Sequence, residues 1–416
     1  MKKETTGKHD LSIVSYESLE AWARSKVQEF LQDILEEEVS AFLGRGKSER
    51  REEGNEEQQG YRNGHGKPRK VAMLSGTLLV QRPRVRDTEA RMESRILPLF
   101  KRRTRELGEL LPELYLHGLA QGDFELALRG LLGEGAPLSA SSIARLKAKW
   151  QLEYDAWKKQ DLSGLEVVYM WADGLYVKAG LEAEKAALLV IVAGLTSGEK
   201  VVLACESGQR ESKESWLTVL RDLKERGLKP GKMTVADGHL GIWSALGELH
   251  AEGKEQRCWN HKITNVLDKL PQTKQAEAKE LLRAMMYAET RADCEKERDT
   301  FVTRYEKNYP KATETLLRDW DRMVTLYEFP KEHWIHLRTT NIVESPFAAV
   351  RLRTDAAKRY KKVENATAMI WKLLMIAEKT WRKLNSPPLL KEVYAGKSFV
   401  NGVAKEEKSV EKKEAA

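Results

Sequence analysis

The spacing of hydrophobic positions changes character along this chain, and each change predicts a different element. Over residues 11–43, Trp22, Val27, Phe30, Leu31, Ile34, Leu35, Val39 and Phe42 recur at three and four, with acidic residues on the other face. That period predicts one amphipathic helix, stopped by Gly44, which must bury its stripe on the body of the protein or on a second subunit. Residues 44–60 are charged and hold no core-forming side chains, as a linker would. RKVAML, a Ser75-Gly76 turn and TLLVQRPRV follow, which predicts a β-hairpin over 69–85. Its basic residues Arg69, Lys70, Arg82, Arg84 and Arg86 suit either phosphate contacts or a charged, soluble sheet edge.

Short helical patterns occupy 106–150. One helix near 124–132, a glycine-containing turn over 133–137 and a second helix capped by Ser139 make a helix-turn-helix-like unit. The second helix carries Ser142, Arg145, Lys147 and Lys149, a basic face that fits a DNA major groove, although two helices joined by a glycine turn are also common in bundles. LEVVYMWAD, AALLVIVAGL and KVVLACES are then apolar, β-branched runs at hairpin spacing; an amphipathic helix over 214–226, the run MTVAD, a short helix and the run EQRCW come next. Three antiparallel strands followed by alternating helix and strand predict an α+β fold with a ribonuclease H-like core. Its mixed five-stranded sheet would place the first and fourth strands side by side. Residues 261–326 are strongly helical, interrupted at Pro271 and Pro310, and predict an all-α domain inserted ahead of the last core helix. Trp259, Trp320 and Trp334 lie in or near that unit and are expected to pack as core residues.

With 416 residues the chain exceeds one ordinary core and suggests two to four units. A formal charge of +8 favours an anionic partner, and its distribution is more specific: 13 Lys/Arg against 3 Asp/Glu over 61–105, and 11 against 4 over 338–383. Three cysteines without paired spacing argue against a disulfide framework and for a reducing compartment. No apolar run approaches the ~18 residues of a membrane span, and MKKETTGKHD has no apolar stretch behind its basic start. The expectation is a cytoplasmic protein with no membrane association, located at the nucleoid when bound to DNA.

Three short stretches carry candidate chemistry. WADG and VADGHLG place Asp173 and Asp237 at the ends of apolar runs, each followed by glycine, so that a strand delivers a carboxylate and the backbone then turns away. TTNIVES places Glu344 near the start of a helix. Each has an ordinary reading: Asp-Gly is a common turn, and Asn341-x-x-Glu344 is a helix N-terminus pattern. Gathered together, three carboxylates are a hard-oxygen site for two Mg²⁺ or Mn²⁺ ions, which would activate the attacking oxygen of a phosphodiester reaction and stabilise the leaving one. Pro346 after Ser345 predicts that the helix begins at Pro346, with Glu344 just before it; Arg351 and Arg353 on that helix are candidate DNA contacts. Cys258-x2-His261 offers two of the four ligands of a zinc site, with no second Cys/His pair at a suitable spacing, so a structural role is expected. His239 is a candidate phosphate contact or helix cap.

WADGLYVKAG, GLTSGEKVVL, SWLTVLRDLKERGL, MTVADGHLG, RCWNHK and RTTNIVES, in this order between about Gly60 and Trp381, resemble the mutator-type transposases of bacterial insertion sequences. The resemblance implies a DDE enzyme with a ribonuclease H-like core that cleaves and transfers DNA strands with divalent metal. Its partners would be double-stranded DNA, as transposon-end inverted repeats and target, and at least one further copy of itself. The family's triad falls on Asp173, Asp237 and Glu344, and its Cys-x2-His element on Cys258 and His261. Phe347 and Ala348 depart from the polar and basic residues common in relatives. The expected organisation is an amphipathic helix and linker (1–60), a basic hairpin region (61–104), a helix-turn-helix-like domain (105–160), the first part of the core (161–260), an all-helical insertion (261–335), the last core helix (336–385) and a disordered tail (386–416). A ribonuclease H-like nuclease or resolvase without strand transfer, and a transposase-derived DNA-binding protein with an idle triad, are the alternatives.

Overall fold

The computed structural model describes residues 15–405 apart from 53, 56, 99–100, 120–122, 134–139, 180–185, 209, 239, 358–359 and 361, and the chain divides into two compact units, Met1–Leu146 and Lys147–Ala416. In the first unit, α1 (Leu19–Leu43) ends at Gly44, whose left-handed backbone (φ 69°) lets the Gly44 amide close onto the Ala41 carbonyl. A Cβ there would lie 2.3 Å from the Glu57 carbonyl oxygen, so the stop signal is also a steric requirement. The buried row of α1 is Leu35, Val39 and Leu43; Val27 and Phe30, expected in the stripe, are exposed. α1 meets the β-hairpin formed by β2 (Arg69–Met73) and β3 (Gly76–Val80), and Leu35, Val71, Leu78, Val80 and Leu97 form the shared core. Polar side chains of α1 also cover the open edge of β3. Gln28 accepts from the Leu79 amide (3.0 Å), while Gln32 accepts from the Gln81 amide (3.0 Å) and donates to the Gln81 carbonyl (2.8 Å).

The predicted hairpin is therefore present but shorter than expected. β4 (Pro83–Arg86) leaves it and pairs antiparallel with β1 (Tyr61–His65), a break that Pro83, which has no amide to give the ladder, reinforces. Three helices follow, α2 (Arg105–Leu116), α3 (Phe124–Leu132) and α4 (Ala140–Trp157). α3 and α4 match the expected helix pair, while Ser139 and most of its turn lie outside the described residues. α4 runs across the division between the units. Its Trp150, Tyr154 and Trp157 are buried, Tyr154 donates to the Cys205 carbonyl (2.8 Å), and both Tyr154 and Trp157 pack on Trp371. The boundary expected at 160 thus lies too late: the second unit already needs the last turns of α4.

The second unit holds a five-stranded sheet in the order β7-β6-β5-β8-β9. β5 (Val167–Val177), β6 (Ala186–Leu195) and β7 (Lys200–Gly208) are antiparallel neighbours; β8 (Met233–Ala236) runs parallel to β5, and β9 (Lys254–Arg257) parallel to β8. The parallel strands need crossovers, supplied by α5 (Lys213–Glu225) and α6 (Leu240–Leu249). Met170, Ala172, Leu189 and Ile191 face these helices through Trp216, Leu220 and Trp243. On the other face Tyr169 shares a hydrogen bond with His333 (2.8 Å) and the Trp171 indole donates to the His336 carbonyl (2.8 Å). Cover on both faces explains why β5 and β6 read as near-continuous apolar runs.

After β9 come α7 (Trp259–Leu267), α8 (Gln272–Tyr287), α9 (Arg291–Tyr305), α10 (Pro310–Leu317), α11 (Trp320–Met323) and α12 (Trp334–Leu337), with breaks at Pro271 and Pro310 as expected. Trp259, Trp320 and Trp334 are buried. α13 (Asn341–Ala357) packs on β5 and α14 (Val363–Glu378) on β7. The disordered tail expected from 386 needs correction. α15 (Pro387–Tyr394) and a small hairpin of β10 (Phe399–Val400) and β11 (Val403–Ala404) are ordered, because Leu390, Val393 and Phe399 find buried positions; residues 406–416 lie outside the described residues. Among the described residues no helix is long and apolar enough to cross a membrane.

Candidate active site

Ala172 and Ala236 are the last registered pair of the parallel strands β5 and β8, so Asp173 and Asp237 follow side by side at one point of the sheet. Asp173 shares a strand face with Tyr169 and Trp171, the face on which their partners His333 and His336 lie. The two Asp-Gly pairs behave differently. β5 does not turn after Asp173, as expected, but continues to Val177 with Gly174 paired to Leu189. Gly174 instead makes room for another carboxylate: a Cβ there would lie 2.3 Å from Glu211 Oε1. Asp237-Gly238 is the genuine turn, with Gly238 at φ +96°.

Glu344 arrives from α13, which begins at Asn341 and not at Pro346 as expected. The Thr340 carbonyl accepts from the Val343 (2.9 Å) and Glu344 (3.0 Å) amides, and the Thr340 hydroxyl donates to the Glu344 carboxylate. With the first turn capped in this way, Pro346 forfeits one intrahelical bond and the helix survives it.

His261, in the first turn of α7, stands among these carboxylates. Its Nδ1 lies 3.4 Å from Asp237 Oδ1 and 3.9 Å from Glu344 Oε1. The shorter approach lacks hydrogen-bond geometry, so Asp237 Oδ1 and His261 Nδ1 are both buried atoms with no hydrogen-bond partner among the described residues. Burial pushes the Asp173 carboxyl up to about 7, with Glu344 and Glu211 adding to the shift; His261 and the Gly174 amide, which donates to Oδ1 (2.8 Å), oppose it. Burial works against a charged imidazole, yet the neighbouring Cys258 sulfur and the Asp237 and Asp173 carboxylates carry His261 up to about 9. A buried carboxyl that resists ionisation, beside a carboxylate oxygen with no donor, is a setting that a divalent cation would relieve. The oxygen donors of Asp173, Asp237 and Glu344 fit Mg²⁺ or Mn²⁺.

The RCWNHK block works as a staple around this point. The Cys258 sulfur accepts from the Thr340 amide (3.4 Å), and its S–H lies 3.4 Å from the Thr340 hydroxyl oxygen, whose own hydrogen goes to Glu344. Trp259 donates through its amide to Arg338 (2.9 Å) and through its indole to Met323 (3.1 Å), Asn260 donates to Asn341 (3.2 Å), and the buried Lys262 ammonium donates to the Thr315 carbonyl (2.6 Å). Ligand atoms of Cys258, His261 and Glu344 lie within 4.8 Å of one another, a third partner invisible in the Cys-x2-His spacing. Glu211 and Arg257 are contributors that sequence reasoning missed, and Thr340, read only as part of a polar helix entry, turns out to orient Glu344. The one available signal was Gly174, a glycine inside a strand that marks a close approach.

Of the candidate DNA contacts, Lys70, Arg84, Arg86, Arg145, Lys149 and Arg351 are exposed, and Lys147 is half-buried. Arg69 and Arg82 are also half-buried and donate to the Pro98 (3.3 Å) and Met92 (3.1 Å) carbonyls. Arg353 is a correction: at 3% exposure it is not on a surface that a duplex can touch. The Ser142 side chain and His239 lie outside the described residues.

The sequence profile described as "Transposase, Mutator family" matches residues 2–384, and the chain belongs to that family. It is 43% identical to the "Transposase for insertion sequence element IS6120" of Mycolicibacterium smegmatis, over 71% of this chain and 92% of that one. It is 38% identical to the "Transposase for insertion sequence element IST2" of Acidithiobacillus ferrooxidans, over 67% and 94% of the two chains. Among solved structures, a chain of the "Drosophila P element transposase strand transfer complex" aligns over 71% of this chain and 83% of its own, at 11% identity and a TM-score of 0.30, too loose to bear on the fold.

Proposed function

We propose that the chain is an insertion-sequence transposase that binds the terminal inverted repeats of its element and cleaves and transfers DNA strands by a DDE mechanism. The observation that carries this reading is the convergence of Asp173, Asp237 and Glu344, from three separated segments, around His261. The strand order, with three antiparallel strands and then two parallel ones, supports a ribonuclease H-like core, and the helices between β9 and α13 read as its insertion. Asp173, Asp237 and Glu344 would hold two Mg²⁺ or Mn²⁺ ions, which supply activation of the attacking oxygen and stabilisation of the leaving one.

The chain's own residues prepare that site. The Gly174 amide orients the buried Asp173, the Thr340 hydroxyl orients Glu344, and the turn at Gly238 presents Asp237. The attacking oxygen is first that of water, which leaves a 3′-hydroxyl on the transposon end. That hydroxyl then attacks a target phosphodiester, so one bond forms as one breaks and no Ser or Tyr nucleophile is required. Lys70, Arg84, Arg86, Arg145, Lys147, Lys149 and Arg351 would neutralise DNA phosphates. Burial, then the charges of Arg82 and Arg102, lower the pKa of Arg69, a crowding of guanidinium groups that a phosphate would relieve. Two ends must be handled together, so the active form would be at least a homodimer.

The test is cleavage and joining of DNA carrying the element's ends by full-length protein. Asp173→Ala, Asp237→Ala and Glu344→Ala are each expected to abolish Mg²⁺-dependent cleavage while end binding persists. Retained cleavage in any variant removes that residue from the triad. Wild-type cleavage without joining would favour a nuclease, and binding without cleavage an idle DNA-binding protein.

A further inference from the structure

The three carboxylates are not held alike. Asp173 accepts from the Gly174 amide and Glu344 from the Thr340 hydroxyl, but Asp237 Oδ1 has no donor among the described residues. What grips Asp237 is its backbone. Arg257, the last residue of β9, donates through Nε to the Asp237 carbonyl (3.2 Å) and through Nη1 to Asp319 Oδ2 (2.7 Å). Both side chains of this ion pair are largely buried, with 9% exposure for Arg257 and 13% for Asp319. The guanidinium lies directly against the turn: a Cβ at Gly238 would be 2.4 Å from Arg257 Nε.

Asp319 stands between α10 and α11 with a left-handed backbone (φ 62°), a region that aspartate tolerates better than most residues and that its surroundings hold in place. Those surroundings are specific. Arg322 Nη1 binds the second carboxylate oxygen of Asp319 (3.2 Å), and Arg322 is itself paired with Glu255 on β9. The buried Lys262 ammonium ties down the Thr315 and Arg318 carbonyls just ahead of Asp319.

We propose that Arg257 and Asp319 form a latch that positions Asp237 for metal binding, so that the helices following β9 act on the site through the Asp237 backbone. This rests on the reading of Asp237 as a metal-binding carboxylate. Arg257 is a positioning residue. Its planar guanidinium gives Nη1 to the carboxylate and keeps Nε for the carbonyl, two donors in fixed directions that a lysine ammonium cannot reproduce. Asp319 holds the fork in that orientation. Loosening either lets the turn at Gly238 relax and moves the Asp237 carboxylate, which lowers metal affinity more than it lowers the rate once metal is bound.

The experiment uses full-length protein bound to DNA ends. It measures Mn²⁺ binding by electron paramagnetic resonance, the Mn²⁺ midpoint for cleavage, end affinity and thermal melting. Arg257→Lys and Asp319→Asn are expected to raise both Mn²⁺ midpoints about tenfold, with cleavage at saturating Mn²⁺ changed less than about threefold. Asp319→Glu should restore much of the loss. Should Asp319→Asn fail to fold, Arg257→Lys decides alone, since it keeps the charge pair and removes only the second donor. Wild-type midpoints in Arg257→Lys, or an equal fall in rate at all metal concentrations, overturn the latch. Asp237→Asn separates the two readings: if it leaves Mn²⁺ binding intact, Asp237 is no ligand, whereas if it weakens binding and the latch variants do not, only the latch fails.

Discussion

Asp173 is the residue whose surroundings make the sharpest demand. Its carboxyl ordinarily titrates near 4 but is pushed up to about 7 here, mainly by burial. The folded chain therefore holds that proton more tightly than the unfolded chain. The stability this group contributes is complete below about pH 4 and is lost as pH rises through about 7. Asn mimics the protonated acid. Asp173→Asn is therefore expected to melt higher than wild type at pH 8 in chelator, with the difference closing towards pH 4; equal melting temperatures at pH 8 would contradict it. Cys258 makes a different demand. Its thiol joins the start of α7 to Thr340, so Cys258→Ala should loosen Glu344 and impair cleavage without any zinc being lost. Elemental analysis of dialysed protein checks this, because stoichiometric zinc that disappears in Cys258→Ala and His261→Ala would make Cys258, His261 and Glu344 a metal site.

Among the elements, α1 separates periodicity from packing. Its apolar residues recur widely enough for more than one face to look like the buried one. Packing selects the row Leu35, Val39 and Leu43, with Leu35 in the core of the β2–β3 hairpin, and leaves Phe30 66% exposed. Leu35→Ala is expected to destabilise the first unit by about 2–5 kcal/mol, and Phe30→Ala by no more than about 0.5 kcal/mol. Urea unfolding followed by a probe within residues 15–146 measures both. A Phe30→Ala effect as large as that of Leu35→Ala would mean that a second subunit covers that face. α13 teaches a related point. Its proline looked like a beginning, but the cap comes from Thr340, whose hydroxyl is bound to the carboxylate that the helix delivers.

For the molecule as a whole, the position of the unit boundary has a direct consequence. Tyr154 and Trp157 close the second unit on Trp371, so a fragment starting at 161 lacks part of its own core. A fragment of residues 147–416 is expected to fold cooperatively, and one of 161–416 to melt lower or aggregate; calorimetry compares them. The longer fragment should also lose discrimination between transposon ends and random DNA, and show a shallower salt dependence, because the basic residues of 61–105 and Arg145 are gone. Undiminished discrimination would move end recognition into the second unit.

Much of this was legible in the chain. The apolar runs LEVVYMWAD, AALLVIVAGL and KVVLACES became β5–β7 and the short runs MTVAD and EQRCW gave β8 and β9, Pro271 and Pro310 marked helix breaks, and the Asp-Gly and Thr-Thr-Asn words drew attention to the carboxylates, because local periodicity and turn chemistry act over a few residues. Other features depended on contacts between distant segments. That β5 runs on past Asp173, that Glu211 lies against Gly174, that Arg353 is buried and that residues 387–404 are ordered follow from which surfaces meet. The same holds for the grip of Arg257 on Asp237, held in place by an aspartate 62 positions away that the sequence does not connect to it. Side-chain period specifies which face of an element is apolar. Only tertiary packing specifies what that face, and the charges around it, are pressed against.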